Sequence, residues 1–294
     1  MSYLDLYISP STCFSGFSKP LREAKFAILG VPYDGTATFR PGARFGPNAI
    51  REASMNIETN SLRSGIYVED LKICDVGNLH ILDDPGRVVK RLSAVVKELD
   101  EGGKIPLAVG GEHTVTLGME RALKGVAILD FDAHMDLRNE YAGRKLSHAT
   151  FMRRIAEDIG AERIVQVGIR AFCKEESKFA RRAKVAQITS VEVNRVGAKD
   201  VVRKLRDLLS SYERIHLTID MDVLDPSQAP ATQCPEPDGI STSILLDVLH
   251  GVVDERFRSF DLTEVVPQLD FGVTSTQASK IIFETLCYMQ SAER

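Results

Sequence analysis

Three short runs in the 294-residue sequence concentrate side chains that can hold divalent cations. Asp132-Ala133-His134-Met135-Asp136 places carboxylate, imidazole and carboxylate at alternate positions. Residues two apart in extended chain face the same way, so Asp132, His134 and Asp136 can converge. Asp220-Met221-Asp222 repeats the alternation, and Gly110-Gly111-Glu112-His113 delivers a second imidazole behind two glycines that permit a sharp turn. Singly, each run has an ordinary explanation: acidic residues after a strand serve as loop and cap residues, and a lone histidine after glycines is commonly solvated. Together, four carboxylates and two imidazoles would repel one another unless cations neutralised them, and two divalent ions supply about +4. Oxygen and nitrogen donors without thiolate favour Mn²⁺ ahead of Co²⁺, Fe²⁺ or Zn²⁺. Two such ions about 3.5–4 Å apart lower the pKa of a shared water and so allow hydrolysis without a Ser or Cys nucleophile. No Gly-x-Ser-x-Gly motif competes.

These runs need rigid elements to aim them. Short apolar, β-rich runs at Phe26–Val31, Leu71–Val76, Ile105–Val109, Val126–Phe131, Ile164–Ile169, Val185–Ile188, Ile215–Ile219 and Ser259–Leu262 read as strands. Between them, three- and four-residue apolar spacing predicts helices over Pro85–Leu99, Thr114–Leu123, Ala149–Ile159, Ala198–Tyr212 and Ser241–Val253, with a last one over Thr276–Met289. The alternation predicts an α/β fold with a parallel sheet of about eight strands covered on both faces. With no linker, repeat or low-complexity tract, the whole of residues 1–294 reads as one domain. Ligands of such sheets bind beyond the carboxyl ends of the strands, and all three runs directly follow a strand.

Composition narrows the class. A net charge of −4 with no long basic run argues against nucleic acid or an anionic membrane surface as partner, and the apolar stretches are too short to span a bilayer. Residues Met1 to Lys19 lack the pattern of a signal peptide. Cys13, Cys74, Cys173, Cys234 and Cys287 are odd in number and widely spaced, which reads as free thiols in a reducing cytoplasm.

The order of motifs resembles the ureohydrolase (arginase/agmatinase) family. Gly110–His113, Asp132–Asp136 and Thr218–Pro226 are similar to its three metal-binding signatures. Pro41–Pro47 with Ala49-Ile50-Arg51, Asp75-Val76-Gly77, Val167–Arg170 and Glu264–Pro267 resemble further family segments, over roughly residues 26 to 285. The resemblance implies a three-layer arginase-like sandwich and two Mn²⁺ per subunit. One ion would be held by His113, Asp132, Asp136 and Asp220, the other by His134, Asp132, Asp220 and Asp222. It implies that Asp136 orients the attacking water and that Glu264 binds the guanidinium, whose planar N–H fork suits a carboxylate. His148 matches the histidine of a family Ser-His-Gly-Thr segment; as a proton shuttle it would use its near-neutral titration, and as a plain residue it would cap the following helix. His80, His216 and His250 match no ligand. A homo-oligomer, trimer or hexamer, is also implied.

The reaction so implied is hydrolysis of a small cationic guanidino substrate to urea and an amine. Residues 143–149 lack the Asn with which arginase-like members read an α-amino acid head, so the segment is similar to the agmatinase branch, with agmatine as substrate and putrescine as product. Aminopropyl-agmatine, another guanidino compound such as guanidinobutyrate, or a formimino compound are alternatives. Departures from the family pattern include Ala149, Asn78, and a loop at 230–239 where Pro-Gly-Thr-Gly-Thr-Pro-Glu-Pro-Gly-Gly is usual; there Glu236 and Asp238 could hold a distal ammonium. A non-catalytic binding role would call for a missing ligand, and none is missing. A metallophosphoesterase is suggested only by Gly77-Asn78-Leu79-His80, without the acidic partner that chemistry needs.

Overall fold

The computed structural model describes residues 2–292; Met1, Glu293 and Arg294, the ends of the expected 1–294 domain, lie outside the described residues. The strands are β1 (Ile8–Ser9), β2 (Phe26–Val31), β3 (Ile73–Leu79), β4 (Ile105–Gly110), β5 (Ala127–Phe131), β6 (Ile164–Ile169), β7 (Ala186–Thr189), β8 (Ile215–Asp220) and β9 (Phe257–Thr263). They form one sheet in the order β1-β3-β2-β4-β9-β8-β5-β6-β7. Eight strands are parallel, as expected; the ninth, β1, pairs antiparallel with β3 at the edge. With two residues, β1 is too short to carry a periodic signal.

Helices cover both faces. One layer holds α1 (Tyr3–Tyr7), α3 (Pro85–Glu101), α4 (Val115–Ala122), α5 (Phe151–Ile159) and α6 (Lys174–Ala183). The other holds α2 (Gly46–Ser54), α7 (Ser190–Val196), α8 (Ala198–Leu208), α9 (Thr242–Val252) and α10 (Val273–Ser291). The sandwich is therefore three-layered. Short helices such as α2 were not expected; α2 begins where Pro47 takes a first-turn position, a start signal inside a segment that resembles a family motif.

The two faces of the central strands are not alike. Ile215, Leu217 and Ile219 of β8, with Phe260 and Leu262 of β9, point into the apolar core beneath α8–α10. The alternate residues, His216, Thr218 and Asp220 with Ser259, Asp261 and Thr263, form a polar seam that is almost entirely buried. Register sets His216 beside Ser259, Thr218 beside Asp261 and Asp220 beside Thr263. Period-two alternation thus puts hydrocarbon on one face and hydrogen-bonding groups on the other.

A second buried polar unit ties α2 to the sheet. Arg51 lies fully buried, its guanidinium donating to both oxygens of Asp75 (2.8 and 2.9 Å), to Asn78 Oδ1 (2.6 Å) and to the Gly77 carbonyl (3.1 Å). Asn78, a departure from the family pattern, has a physical reading here. Its amide accepts from Arg51 and donates to Asn48 Oδ1 at 2.9 Å, which a carboxylate could not do. Gly77 has φ +106°, and a Cβ there would meet the Ser9 carbonyl oxygen at 2.1 Å, so edge strand β1 requires the glycine. Arg51→Ala takes from the buried Asp75 side chain its ion-pair partner and leaves it the N–H groups of Phe14 and Gly77. It should lower stability by about 3–5 kcal/mol in urea unfolding, and a loss under 1 kcal/mol would contradict this reading.

Candidate metal centre and active-site cavity

Four neighbouring strands, β4, β9, β8 and β5, deliver the site from their carboxyl ends. His113 follows β4, Glu264 follows β9, Asp220 and Asp222 end and follow β8, and Asp132, His134 and Asp136 follow β5. The two glycines of the first run act by close approach, not by an unusual turn angle. A Cβ on Gly111 would sit 1.8 Å from the Tyr33 carbonyl oxygen, and one on Gly110 would sit 2.6 Å from the Thr263 methyl. Asp136 (φ +51°) and Glu264 (φ +68°) both adopt left-handed backbone, uncommon for residues with a Cβ, in turns that follow strands and carry side chains to the site.

The carboxylates share a pattern. Asp132 Oδ1 accepts the His134 N–H (2.5 Å), Asp220 Oδ1 the Asp222 N–H (2.8 Å) and Asp222 Oδ1 the Ala133 N–H (3.2 Å). Each second oxygen turns towards an imidazole. Around His113 Nδ1 lie Asp132 Oδ2 at 3.1 Å, Asp220 Oδ2 at 3.2 Å and Asp136 Oδ2 at 3.7 Å; Asp222 Oδ2 lies 3.0 Å from His134 Nδ1. Two ligand groups result, His113 with Asp132 and Asp136, and Asp132 with His134 and Asp222, each with its donor atoms within 4.8 Å of one another and sharing Asp132. The predicted ligands are thus brought together.

One hydrogen-bond chain decides which nitrogen of His113 faces the cluster. Thr218 Oγ1 donates to Asp261 Oδ1 at 2.6 Å, so it accepts from His113 Nε2 at 2.9 Å, and His113 carries its proton there. Thr116 Oγ1 also donates to Asp261 Oδ1 (3.0 Å), and His216 pairs with Asp261 Oδ2 (2.7 Å) and Ser259 (2.7 Å), the structural part expected for His216. Nδ1 is left aimed into the cluster, where, against the lowering effect of burial, Asp132 and Asp220 hold His113 well above the usual imidazole range until a cation takes the proton's place. Nδ1 and Asp132 Oδ2 are buried and neither makes a hydrogen bond. Burial, then neighbouring carboxylates, pushes Asp136, Asp220 and Glu264 well above the usual carboxylate range. Unpartnered ligand atoms, an imidazole whose Nε2 is fixed by Thr218, and crowded carboxylates all fit divalent cations.

A cavity of about 450 Å³ opens over the cluster, lined by Asp136, His134, Asp220, Asp222, His148 and Glu264 among others. Glu264 Oε1 accepts the His113 N–H at 2.8 Å, while its Oε2, also buried, has no partner. His148 is held by Thr36, whose Oγ1 lies 3.2 Å from Nδ1 and accepts the His148 N–H at 3.0 Å. Thr36 in turn donates to Glu112 Oε1 at 2.6 Å, a carboxylate that burial pushes up to about 7. Burial, and then the charge of nearby His134, push His148 down to about 4, so it is a neutral imidazole at pH 7 and not the near-neutral titrator that its ordinary value suggests. Of the two loop carboxylates, Glu236 lines the cavity and Asp238 does not.

Sequence reasoning missed the groups that position the site. Arg170 spends its guanidinium on six backbone carbonyls, of Gly168, Asp222, Val223, Leu224, Glu236 and Pro237, and so staples the 236–237 loop to the turn after β8. Thr218 and Asp261 had a legible signal, since Thr218 shares strand parity with Asp220; Arg170 stood in a segment that resembles the family's, but nothing local showed what it would hold. Cys234 lines the cavity as a thiol that burial, then the Glu264 carboxylate, pushes up to about 12. Thr218→Val or Asp261→Asn should weaken cation affinity about 10–100-fold, read by calorimetric titration of chelator-treated protein. Unchanged affinity would show that His113 needs no such support.

Comparison with known proteins agrees with this geometry. A model of the arginase family matches residues 24–287. The chain is 37% identical over 278 residues to an agmatinase of Bacillus subtilis, covering 92% of this chain and 93% of that protein. It is 34% identical over 268 residues to an N(1)-aminopropylagmatine ureohydrolase of Thermococcus kodakarensis, covering 90% of each. The solved agmatine ureohydrolase of Thermoplasma volcanium superposes with a TM-score of 0.90 at 31% identity, over 97% of this chain and 96% of that one. The chain belongs to the arginase family of binuclear-metal amidinohydrolases.

Proposed function

We propose that this single catalytic unit hydrolyses agmatine to putrescine and urea, using two Mn²⁺. The observation that carries the reading is the pairing, in one cavity, of the acid–imidazole cluster with an unpartnered, buried Glu264 Oε2. When bound, the two cations would be held by His113, Asp132, Asp136 and Asp220 and by His134, Asp132, Asp220 and Asp222, and would supply Lewis acidity that lowers the pKa of a water at the cluster. Glu264 accepts N–H bonds from the guanidinium and sets its carbon over the cluster. Asp136 accepts a hydrogen bond from the attacking water and orients it. A C–O bond forms at the guanidinium carbon and the C–N bond to the alkyl chain breaks; both of the water's protons end on the leaving nitrogen as an ammonium, the first of them in the step that lets it depart. His148, neutral and held by Thr36, is the group placed to carry that proton.

Two observations favour a cationic tail. Both arginines on the cavity wall are engaged: Arg170 on carbonyls, and Arg138 3.6 Å from Glu176 Oε2 with its guanidinium over the Tyr141 ring. Glu236 is the half-exposed carboxylate of the cavity wall, with His134 Nε2 beside it at 4.0 Å, and it can meet a distal ammonium. The similarity to the Thermococcus enzyme keeps aminopropyl-agmatine as the second reading. None of the described helices is long and apolar enough to cross a membrane. The reading extends to a cytoplasmic homo-oligomer, for which the exposed apolar side chains Leu269, Phe271 and Val273 offer surface.

The test is hydrolysis by Mn²⁺-loaded protein, read as urea from agmatine, aminopropyl-agmatine, arginine and guanidinobutyrate and as formamide from a formimino compound, with Asp132→Asn as blank. Agmatine should give the highest kcat/KM, and Glu264→Gln should lose about 100-fold or more of it. Preference for arginine or guanidinobutyrate would overturn the tail assignment, and formamide from the formimino compound with no urea from any guanidino compound would overturn the guanidino one.

A further inference from the structure

Gln233 is 1% exposed and lines the cavity, yet neither its carboxamide oxygen nor its nitrogen has a hydrogen-bond partner. A buried amide without partners costs free energy, and native structures pair such groups almost without exception. Its place is set by backbone register. Thr232 bridges antiparallel to Val265, and the Val266 N–H donates to the Ala231 carbonyl at 2.8 Å. One step further along that pairing, Gln233 stands opposite Glu264. Residues directly opposite in such a pair have Cβ atoms about 4.5–5.5 Å apart. Two neighbouring side chains facing one cavity therefore both hold unspent hydrogen-bonding atoms.

We propose that Gln233 is a substrate-contacting residue that reads the guanidino end beside Glu264 and selects a guanidino carbon over a formimino carbon. The inference rests on the reading of Glu264 as the guanidinium carboxylate. A guanidinium has N–H donors on all three edges. Glu264 occupies one edge, and the Gln233 oxygen accepts from the next, while its NH₂ offers donors to Glu264 Oε2. A formimino carbon carries hydrogen where the third nitrogen would be. It leaves the amide oxygen without a donor, and a site built to hydrogen-bond a group rejects the analogue lacking it.

Gln233→Leu and Gln233→Ala in the metal-loaded enzyme test this. The agmatine KM should rise about 10–100-fold, the loss of a hydrogen bond to a charged donor. The inhibition constant of putrescine, which has the tail and no guanidino group, should stay within about twofold. Without substrate, Gln233→Leu should melt no lower than the parent, since it removes an unpaired buried amide, and agmatine should raise its melting temperature less. An active parent with an unchanged agmatine KM in the variants overturns this inference and leaves the functional reading standing. So does a parallel loss of putrescine binding, or a lower melting temperature in both variants, which would assign the amide to the tail pocket or to the fold. A parent that releases urea from no guanidino compound overturns both.

Discussion

Buried negative charge is the constraint on which the rest of this structure depends. Asp132, Asp136, Asp220, Asp222 and Glu264 converge at one end of the sheet, each 8% exposed or less, with two imidazoles for company. Such a cluster is costly by itself, because carboxylates out of water either protonate or demand cations. The architecture is what makes the crowding orderly. Four adjacent parallel strands end at the same level, and backbone amides two residues on, or across the strand gap, hold the outer oxygen of Asp132, Asp220 and Asp222. The inner oxygens have little freedom left and point at common space.

The polar seam below extends the same logic into the core. His113 is held by Thr218, Thr218 and Thr116 by Asp261, and Asp261 by His216, so proton positions are set several ångströms from the cluster. The ring of Phe151, 4.4 Å from that of His113, closes the apolar side. Fixing an imidazole's second nitrogen fixes its tautomer, and with it the lone pair offered to a cation. Part of the local strain falls at the site itself, in the left-handed backbone of Asp136 and Glu264, where turning the side chain inward outweighs the local cost.

Much of this was legible in the sequence, for identifiable reasons. Alternating acids after apolar runs pointed to the clustered carboxylates because strand periodicity is local, and strand–helix alternation pointed to the parallel sheet. Thr218 and Asp261 were within reach, as polar residues in strand patterns on the parity of Asp220. Arg170, Thr36 and Gln233 were not, since what they do depends on loops brought together from distant parts of the chain. The titration of His148 was not legible, because its type suggests titration near neutrality whereas its burial pushes it down to about 4. Asn78 became interpretable only beside Arg51 and Asn48.

Counting cations on the chain tests the account most directly. Protein stripped with a chelator and dialysed against Mn²⁺ should take up two ions per chain, and its melting temperature should rise as they bind. Uptake of no ion, or of one ion with no gain in melting temperature on further addition, would contradict the claim that two cations balance the buried carboxylates at the strand ends.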